Sequence, residues 1–368
     1  MMKLGFIGLG FAGYPLAVMF AQKFDVTGVD INEDKVGAIN RGAYSCTEEG
    51  IEEMSRNAKM SATSDIRELK GCSIVFISLP STQGDFSAIE SSLESLDGFY
   101  TGDVVIMSTV YPGFTRRMQE KFRNIRLSFV PVRTFEGKVV RQFHEFPHII
   151  GAFDEELFRR ISSIFESLGC RTVKAVPPEK AELAKLFSNA FRQAEFALAG
   201  ELGEIARLHG FEPEEIFRIT NEGDPHRRIK KPGIWGGYCL PKDTKMLISH
   251  AKDKGHEPHL LQATEHVRMQ LAKARAKRIT EKHPGKALLF HGVTSKPIEE
   301  KIHDTRDSPV IDVIMLLKEK GCEIKIYDPN IPSAQLGKLA SKLGVMVASE
   351  DDYGRCAVIR HENYDLQF

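Results

Sequence analysis

The sequence predicts an α/β protein made of two doubly wound domains with parallel sheets, joined by a long central helix. Three observations carry this. Short apolar runs alternate with helix-length segments over residues 1–172 and again from residue 286, the signature of βαβ units. A glycine cluster, Gly8-Leu9-Gly10-Phe11-Ala12-Gly13, follows the first run directly. Between the two α/β stretches runs an unbroken helical pattern from Pro178 to His209.

The elements follow in order. Residues 3–8 read as a buried strand, the glycine cluster as a turn, and 12–22 as a helix. Asp25 to Asp30, Ser73 to Leu79, Val104 to Thr109 and Leu127 to Val130 read as further strands. In the central pattern Leu183, Leu186, Phe187, Ala190, Ala194, Ala197, Leu198 and Leu202 recur at helical spacing. Pro178 suits its first turn and Gly210 its stop. A helix of about thirty residues spans roughly 45 Å, a length suited to bridging domains or packing on a twin in a homodimer. Ala287 to Val293, Glu323 to Tyr327, Val345 to Ala348 and Ala357 to Ile359 read as a second set of strands, with helices near 308–320 and 332–343. The domains expected are 1–172, 173–275 and 276–368.

Composition narrows the function. Fifty basic residues balance fifty acidic ones with no block of like charge, which argues against nucleic acid or an anionic membrane as main partner. No run of about 18 apolar residues occurs, and the N-terminus enters a strand pattern at once, without a leader pattern. Cys46, Cys72, Cys170, Cys239, Cys322 and Cys356 are widely spaced, with no CxxC and no zinc spacing. A cytoplasmic protein without metal or disulfides is expected.

Three places carry candidate chemistry. The first is G-x-G-x-x-G at Gly8, Gly10 and Gly13. Its glycines allow a tight turn and close approach of a pyrophosphate to the helix N-terminus. Asp30 ends the second strand, where a carboxylate binds both ribose hydroxyls and repels a 2′-phosphate, so NAD is favoured over NADP. Lys35 is placed over the adenosine side. A turn without ligand and a FAD site are the alternatives. The second is the turn-rich stretch 230–243, with Gly236 and Gly237 before Cys239 and Lys242-Asp243 after it. Lys230, Lys231 and Lys242 are near in sequence and would favour a thiolate. A small buried hydrophobe is the alternative reading of the cysteine. The third is Lys185 and Asn189, four apart on one helix face, with Glu182 a turn earlier. A solvated Glu-Lys pair is the alternative there.

Taken together these pieces resemble the UDP-glucose/GDP-mannose dehydrogenase family. The resemblance covers nearly the whole chain: GLGFAG with Asp30, LPSTQGDFSAIE, STVYPG at 108–113, PVRTFEGK at 131–138, AELAKLFSNAFR at 181–192, GGYCLPKD at 236–243, SKP at 295–297, DTRDSP at 304–309 and IYDP at 326–329. It implies two Rossmann-like domains and an NAD-dependent oxidoreductase of polysaccharide biosynthesis. Such an enzyme oxidises the C6 alcohol of a nucleotide sugar to the carboxylate by two hydride transfers, through a thiohemiacetal and a thioester on Cys239. By the same resemblance Lys185 and Asn189 stabilise the oxyanion, while Asp243 and Thr109 handle water. Gly8, Gly10, Phe11, Ala12, Gly13, Asp30, Lys35, Ser81, Thr109, Lys242 and Arg306 hold NAD. Arg133, Lys185, Asn189, Arg228, Gly236, Lys296 and the 228–233 loop contact the sugar nucleotide. PVRTFEGK and Phe191-Arg192 place the chain nearer the UDP-N-acetylhexosamine branch.

The chain departs from the pattern at Val132, where the family usually has a glutamate. Valine cannot accept a proton, so thioester release would slow, pass through Glu136, or fail. The loop from Arg228 to Cys239 is short, with an unusual Trp235, and the segment from Lys296 to Arg306 is longer than usual. Two competing functions are a two-electron hydroxyacid dehydrogenase that needs no cysteine, and a non-catalytic binder of NAD and sugar nucleotide.

Overall fold

The first apolar run forms strand β1 (Lys3–Ile7), buried from Leu4 onward because strands flank it on both sides. The structure, a computed structural model, describes residues 2–44, 46, 48–81, 84–223, 228–231, 233–296, 298 and 303–360. These fall into two compact units, Met1–Phe187 and Ser188–Phe368.

The first unit holds β2 (Asp25–Val29), β3 (Met60–Thr63), β4 (Ile74–Ile77), β5 (Asp103–Ile106), β6 (Arg126–Phe129), β7 (His148–Gly151) and β8 (Thr172–Ala175) beside β1. Their order is β3-β2-β1-β4-β5-β6-β7-β8. The strands from β3 to β6 pair in parallel, β7 runs antiparallel to β6, and β8 is parallel to β7. The chain reverses its direction of travel between β1 and β4, so the crevice where dinucleotides bind lies at the C-terminal ends of these two strands. The helices are α1 (Gly13–Phe20), α2 (Glu33–Asn40), α3 (Ile51–Arg56), α4 (Ser87–Asp97), α5 (Phe114–Lys121), α6 (Val139–Glu145) and α7 (Glu155–Ser167). All eight residues of α1 are buried, as expected for a helix apolar on every side. Its Phe20 meets Phe6, Phe76 and Phe165 at centroid distances of 5.2, 5.1 and 5.4 Å. This aromatic cluster fixes the helix, and hence the glycine turn, against the sheet.

Helix α8 (Glu179–Leu208) has 30 residues, as the sequence predicts, and the division between the units falls within it. The second unit contains α9 (Pro213–Asn221), α10 (Cys239–Asp253), α11 (His259–Lys282), β9 (Leu288–His291), α12 (Pro309–Glu319), β10 (Ile324–Tyr327), α13 (Ser333–Leu343), β11 (Met346–Val347), α14 (Asp352–Arg355) and β12 (Ala357–Arg360). Its parallel sheet has the order β11-β10-β9-β12. Its core joins Leu288, Phe290, Ile324 and Ile326 of the sheet to Leu271 and Ala276 of α11 and Val313 of α12, with Trp235 also inside. Among the described residues, no helix is long and apolar enough to cross a membrane.

The doubly wound class is thus borne out in both units. Three strands escaped the sequence reading: β3, β7 and β8. One boundary is corrected. The turn-rich stretch ends at Tyr238, and Cys239 is the first residue of α10 rather than part of a loop. Pro241 disguised this start, but a proline in the first turn removes no intrahelical hydrogen bond.

Candidate active site

In the first unit the glycine turn is built for two different reasons. Gly8 has φ +89°, and a Cβ there would collide with the Ser78 carbonyl. A Cβ on Gly13 would collide with the Gly8 carbonyl, so this glycine lets α1 start against the strand end. At Gly10 a Cβ would meet nothing within 4 Å, so packing does not require glycine there. The space over Gly10 is what a pyrophosphate needs. Ala12 caps α1 without any side-chain hydrogen bond, and the first turn of a helix presents N–H groups that suit an anion. Phe11 stands at the tip of the turn, 42% exposed.

Asp30 follows β2 and braces the turn from the side. Its Oδ2 accepts from the Leu9 N–H at 2.9 Å and from Lys35 Nζ at 2.8 Å, and its Oδ1 accepts from the Asn32 N–H at 3.0 Å. Burial pushes the carboxyl up, but these bonds together outweigh burial and hold it below the usual carboxylate range. The structure thus puts Lys35 against Asp30. Ser81 is buried beyond the end of β4, and Thr109 is half-buried beyond the end of β5. Because β1, β4 and β5 are parallel neighbours, the glycine turn, Ser81 and Thr109 share one edge of the sheet. Ser108 escaped the sequence reading: its Oγ accepts from the Leu79 N–H at 2.8 Å and donates to the Leu79 carbonyl at 2.7 Å, tying the loops after β4 and β5 together. The glycines, the ionised Asp30 and the open space over Gly10 fit an NAD.

Lys185 also belongs to the first unit. Its Nζ donates to the Val132 carbonyl at 2.9 Å, while the Val132 side chain packs on the core. The Glu182–Lys185 pair considered from the sequence does not form. Glu182 is fully buried and accepts from the Gly113 N–H at 2.6 Å, the Thr115 N–H at 2.9 Å and Thr115 Oγ1 at 2.6 Å, capping α5. Burial raises its carboxyl despite those donors. Arg133 donates from Nη1 to the Pro147 carbonyl at 3.3 Å.

In the second unit the thiol site is built on the start of α10. Gly237 has φ +88°, and its N–H donates to the Asp307 carbonyl at 2.8 Å. A Cβ on Gly236 would collide with that same carbonyl and with the Pro309 ring. Both glycines therefore let the chain before Cys239 lie against the 304–309 segment. Cys239 is exposed, and its position at the positive end of a helix dipole favours negative charge on sulfur. One turn on, Asp243 is 1% exposed. Lys242 Nζ lies 2.7 Å from its Oδ1, and Asn189 Nδ2 donates to its Oδ2 at 2.6 Å. Lys242 is therefore ion-paired with Asp243. The Arg306 guanidinium lies 3.7 Å from the centre of the Tyr238 ring and pairs with Asp304 at 2.6 Å. Burial raises the Tyr238 hydroxyl, which Arg306 partly counters.

Five candidates thus gather in the second unit: Asn189, Gly236, Cys239, Lys242 and Asp243, with Arg306 stacked on Tyr238 beside them. Arg228 is exposed, next to Ile229, whose N–H and carbonyl are both held by Asn221 at 2.7 and 2.9 Å. Lys296 is half-buried, and its carbonyl accepts from Thr294 Oγ1 at 2.8 Å. Pro232 of the 228–233 loop, Pro297 of SKP, and Thr82 and Gln83 lie outside the described residues. Tyr238 was missed because nothing in the sequence ties it to Arg306, 68 residues away.

Three family models match the chain: the NAD binding domain of the UDP-glucose/GDP-mannose dehydrogenase family over residues 2–169, its central domain over 179–269, and its UDP binding domain over 289–360. A UDP-N-acetyl-D-glucosamine 6-dehydrogenase from Pseudomonas aeruginosa is 28% identical over 354 residues, covering 89% of this chain and 83% of the relative. The structure of a UDP-D-ManNAc dehydrogenase from Pyrococcus horikoshii is 26% identical with a TM-score of 0.81, covering 90% of this chain and 84% of the other. A UDP-glucose dehydrogenase from Pyrobaculum islandicum has the same fold, with a TM-score of 0.86 at 23% identity over 98% of this chain and 89% of the other.

Proposed function

Because the chain belongs to the UDP-glucose/GDP-mannose dehydrogenase family, we propose that it oxidises the C6 alcohol of a UDP-sugar to the carboxylate, with Cys239 as nucleophile. The observation that carries this is the exposed Cys239 thiol at the first position of α10, one turn from Asp243 held between Lys242 and Asn189. NAD, when bound, takes up the hydride that leaves C6 in each of the two oxidations.

The alcohol loses a hydride and a proton and becomes the aldehyde. The Cys239 thiolate adds to that carbon, and the oxygen takes a proton to give the thiohemiacetal. Loss of a second hydride and a proton leaves a thioester. Water then breaks the carbon–sulfur bond, releasing the carboxylate and restoring the thiol. Holding the carbon on sulfur divides a four-electron oxidation into two hydride losses. Lys185 and Asn189 supply donors for the oxygen that becomes negative. Asp243 takes the proton from water, which Thr109 helps to position. Lys242 and Arg306 serve the cofactor; Arg133, Arg228, Gly236 and Lys296 serve the sugar nucleotide. In this reading 1–172 is the NAD segment, 173–275 the central segment and 276–368 the sugar-nucleotide segment.

Several relatives named for UDP-N-acetylhexosamines support a substrate of that class. A panel of UDP- and GDP-sugars with NAD, read by NADH absorbance, tests it. The reading expects the fastest turnover with a UDP-N-acetylhexosamine, and two NADH per sugar. No NADH from any member would overturn it.

The protein is further proposed to be a cytoplasmic homodimer. Six widely spaced cysteines, with no CxxC and no zinc spacing, support a reducing compartment. Phe191, Leu198 and Ile205 stand seven residues apart on α8 and are 68, 59 and 52% exposed, a stripe suited to a second copy of the helix. Sedimentation of Leu198→Asp should give a monomer where the unaltered chain gives a dimer.

A further inference from the structure

The loop over residues 131–138, which joins β6 to α6, forms no helix or strand of its own. Side chains from elsewhere in the first unit hold it along its length. At its start Lys185 donates to the Val132 carbonyl at 2.9 Å, and the Val132 N–H donates to the Met107 carbonyl at 3.4 Å. Near its middle the Phe135 N–H donates to Gln142 Oε1 at 2.9 Å. At its end stands Glu48, a residue between α2 and α3. Its Oε1 accepts from the Gly137 N–H at 2.6 Å and its Oε2 from the Val139 N–H at 2.7 Å. Gly137 has φ +81°, a conformation that favours glycine.

Glu48 is 5% exposed, and a buried carboxylate is tolerated only where donors meet it. The Val139 N–H is one of the donors that a helix start leaves without an intrahelical partner, and the dipole there favours negative charge. Two backbone donors need two acceptors. A carboxylate supplies both, whereas a side-chain amide supplies one oxygen only. Arg133 lies in the same loop, four residues before Gly137. The place of Arg133 is thus set from both sides, by Lys185 on Val132 and by Glu48 on Gly137 and Val139.

We propose that Glu48 is a positioning residue for the sugar nucleotide: by holding Gly137 and Val139 it fixes the 131–138 loop, and with it Arg133, in the arrangement that binds this ligand. This rests on the reading of Arg133 as a sugar-nucleotide contact. The test is calorimetric titration of the full chain with UDP-N-acetylglucosamine and, separately, with NAD. Glu48→Gln keeps one acceptor and turns an amide nitrogen toward the other donor. Its Kd for UDP-N-acetylglucosamine should rise about tenfold, while its Kd for NAD stays unchanged. Glu48→Asp, shorter by one methylene group, should give a smaller rise, and it serves in place of Glu48→Gln if that variant does not fold. Arg133→Ala should raise the same Kd. Adding Glu48→Gln to it should raise the Kd no further, because the loop then has no guanidinium to place. Failure of the unaltered chain to bind UDP-N-acetylglucosamine would sink the proposed function, and this inference with it, before any substitution is made. Where the unaltered chain binds, three results overturn the inference alone: an unchanged Kd for UDP-N-acetylglucosamine in the Glu48 variants, an equal loss of NAD affinity, or an effect that multiplies in full with that of Arg133→Ala.

Discussion

The glycine turn at residues 8–13 and the turn at 236–239 use one device for two purposes. Each ends in a helix whose cap makes no side-chain hydrogen bond, Ala12 before α1 and Tyr238 before α10. In the first, the open position is Gly10, and what the turn offers is backbone. In the second, the two glycines are packed against Ser295, Asp307 and Pro309, and what the turn offers is the side chain of Cys239. A helix start can thus hold an anion directly or favour negative charge on its own first residue.

That comparison can be broken most sharply at the sulfur. Cys239→Ala should lower turnover by about a thousandfold or more, because a covalent route is lost, while NAD binding measured by fluorescence stays unchanged. Full activity in this variant would reduce the second turn to scaffolding. Asp243→Asn should lower kcat by about a hundredfold with a smaller change in KM, as loss of a proton acceptor does; steady-state kinetics would show an equal loss in both if the carboxylate only shaped the fold.

The first turn is sharpened by separating its glycines. Gly10→Val should raise the KM for NAD by about tenfold with Tm nearly unchanged, because only ligand space is filled. Gly13→Ala should destabilise the protein by about 3 kcal/mol, because its Cβ collides with the Gly8 carbonyl. Calorimetry and cofactor kinetics on both variants decide whether packing and binding are divided in this way.

The last effect expected concerns stability rather than chemistry. Burial pushes the His148 imidazole down to about 4 from 6.5, against a hydrogen bond to the Phe143 carbonyl that favours the proton. In the unfolded chain the ring takes its proton near 6.5, so stability falls as pH drops from there to about 4 and then levels off. The full change amounts to about 3 kcal/mol. Urea unfolding across this range should show the slope in the unaltered protein and a weaker one in His148→Gln.

What the sequence made legible follows the same division. Gly8, Gly10, Gly13 and Asp30 stood out because a backbone device depends on glycine and on local spacing. The thiol site was legible only in pieces: Cys239 with Lys242-Asp243 and Asn189 stood out separately, the resemblance alone joined them with Arg306, and Tyr238 was missed because these residues come from three distant segments. Strands β3 and β8 were missed for a related reason. Each lies at an edge of the sheet, and Met60–Thr63 and Thr172–Ala175 each bury only one residue, so neither carries an apolar run. Helix α11 was hard to read because its buried face includes Arg268 and Arg275 among Leu271, Ala272 and Ile279, which obscures the apolar period.

The most direct test of Cys239 as carrier is mass spectrometry of the protein quenched during turnover with UDP-N-acetylglucosamine and NAD. The account predicts an adduct of the oxidised sugar nucleotide on the peptide that contains Cys239, absent in Cys239→Ala. Turnover without any adduct on that peptide, yielding a single NADH per sugar, would contradict it.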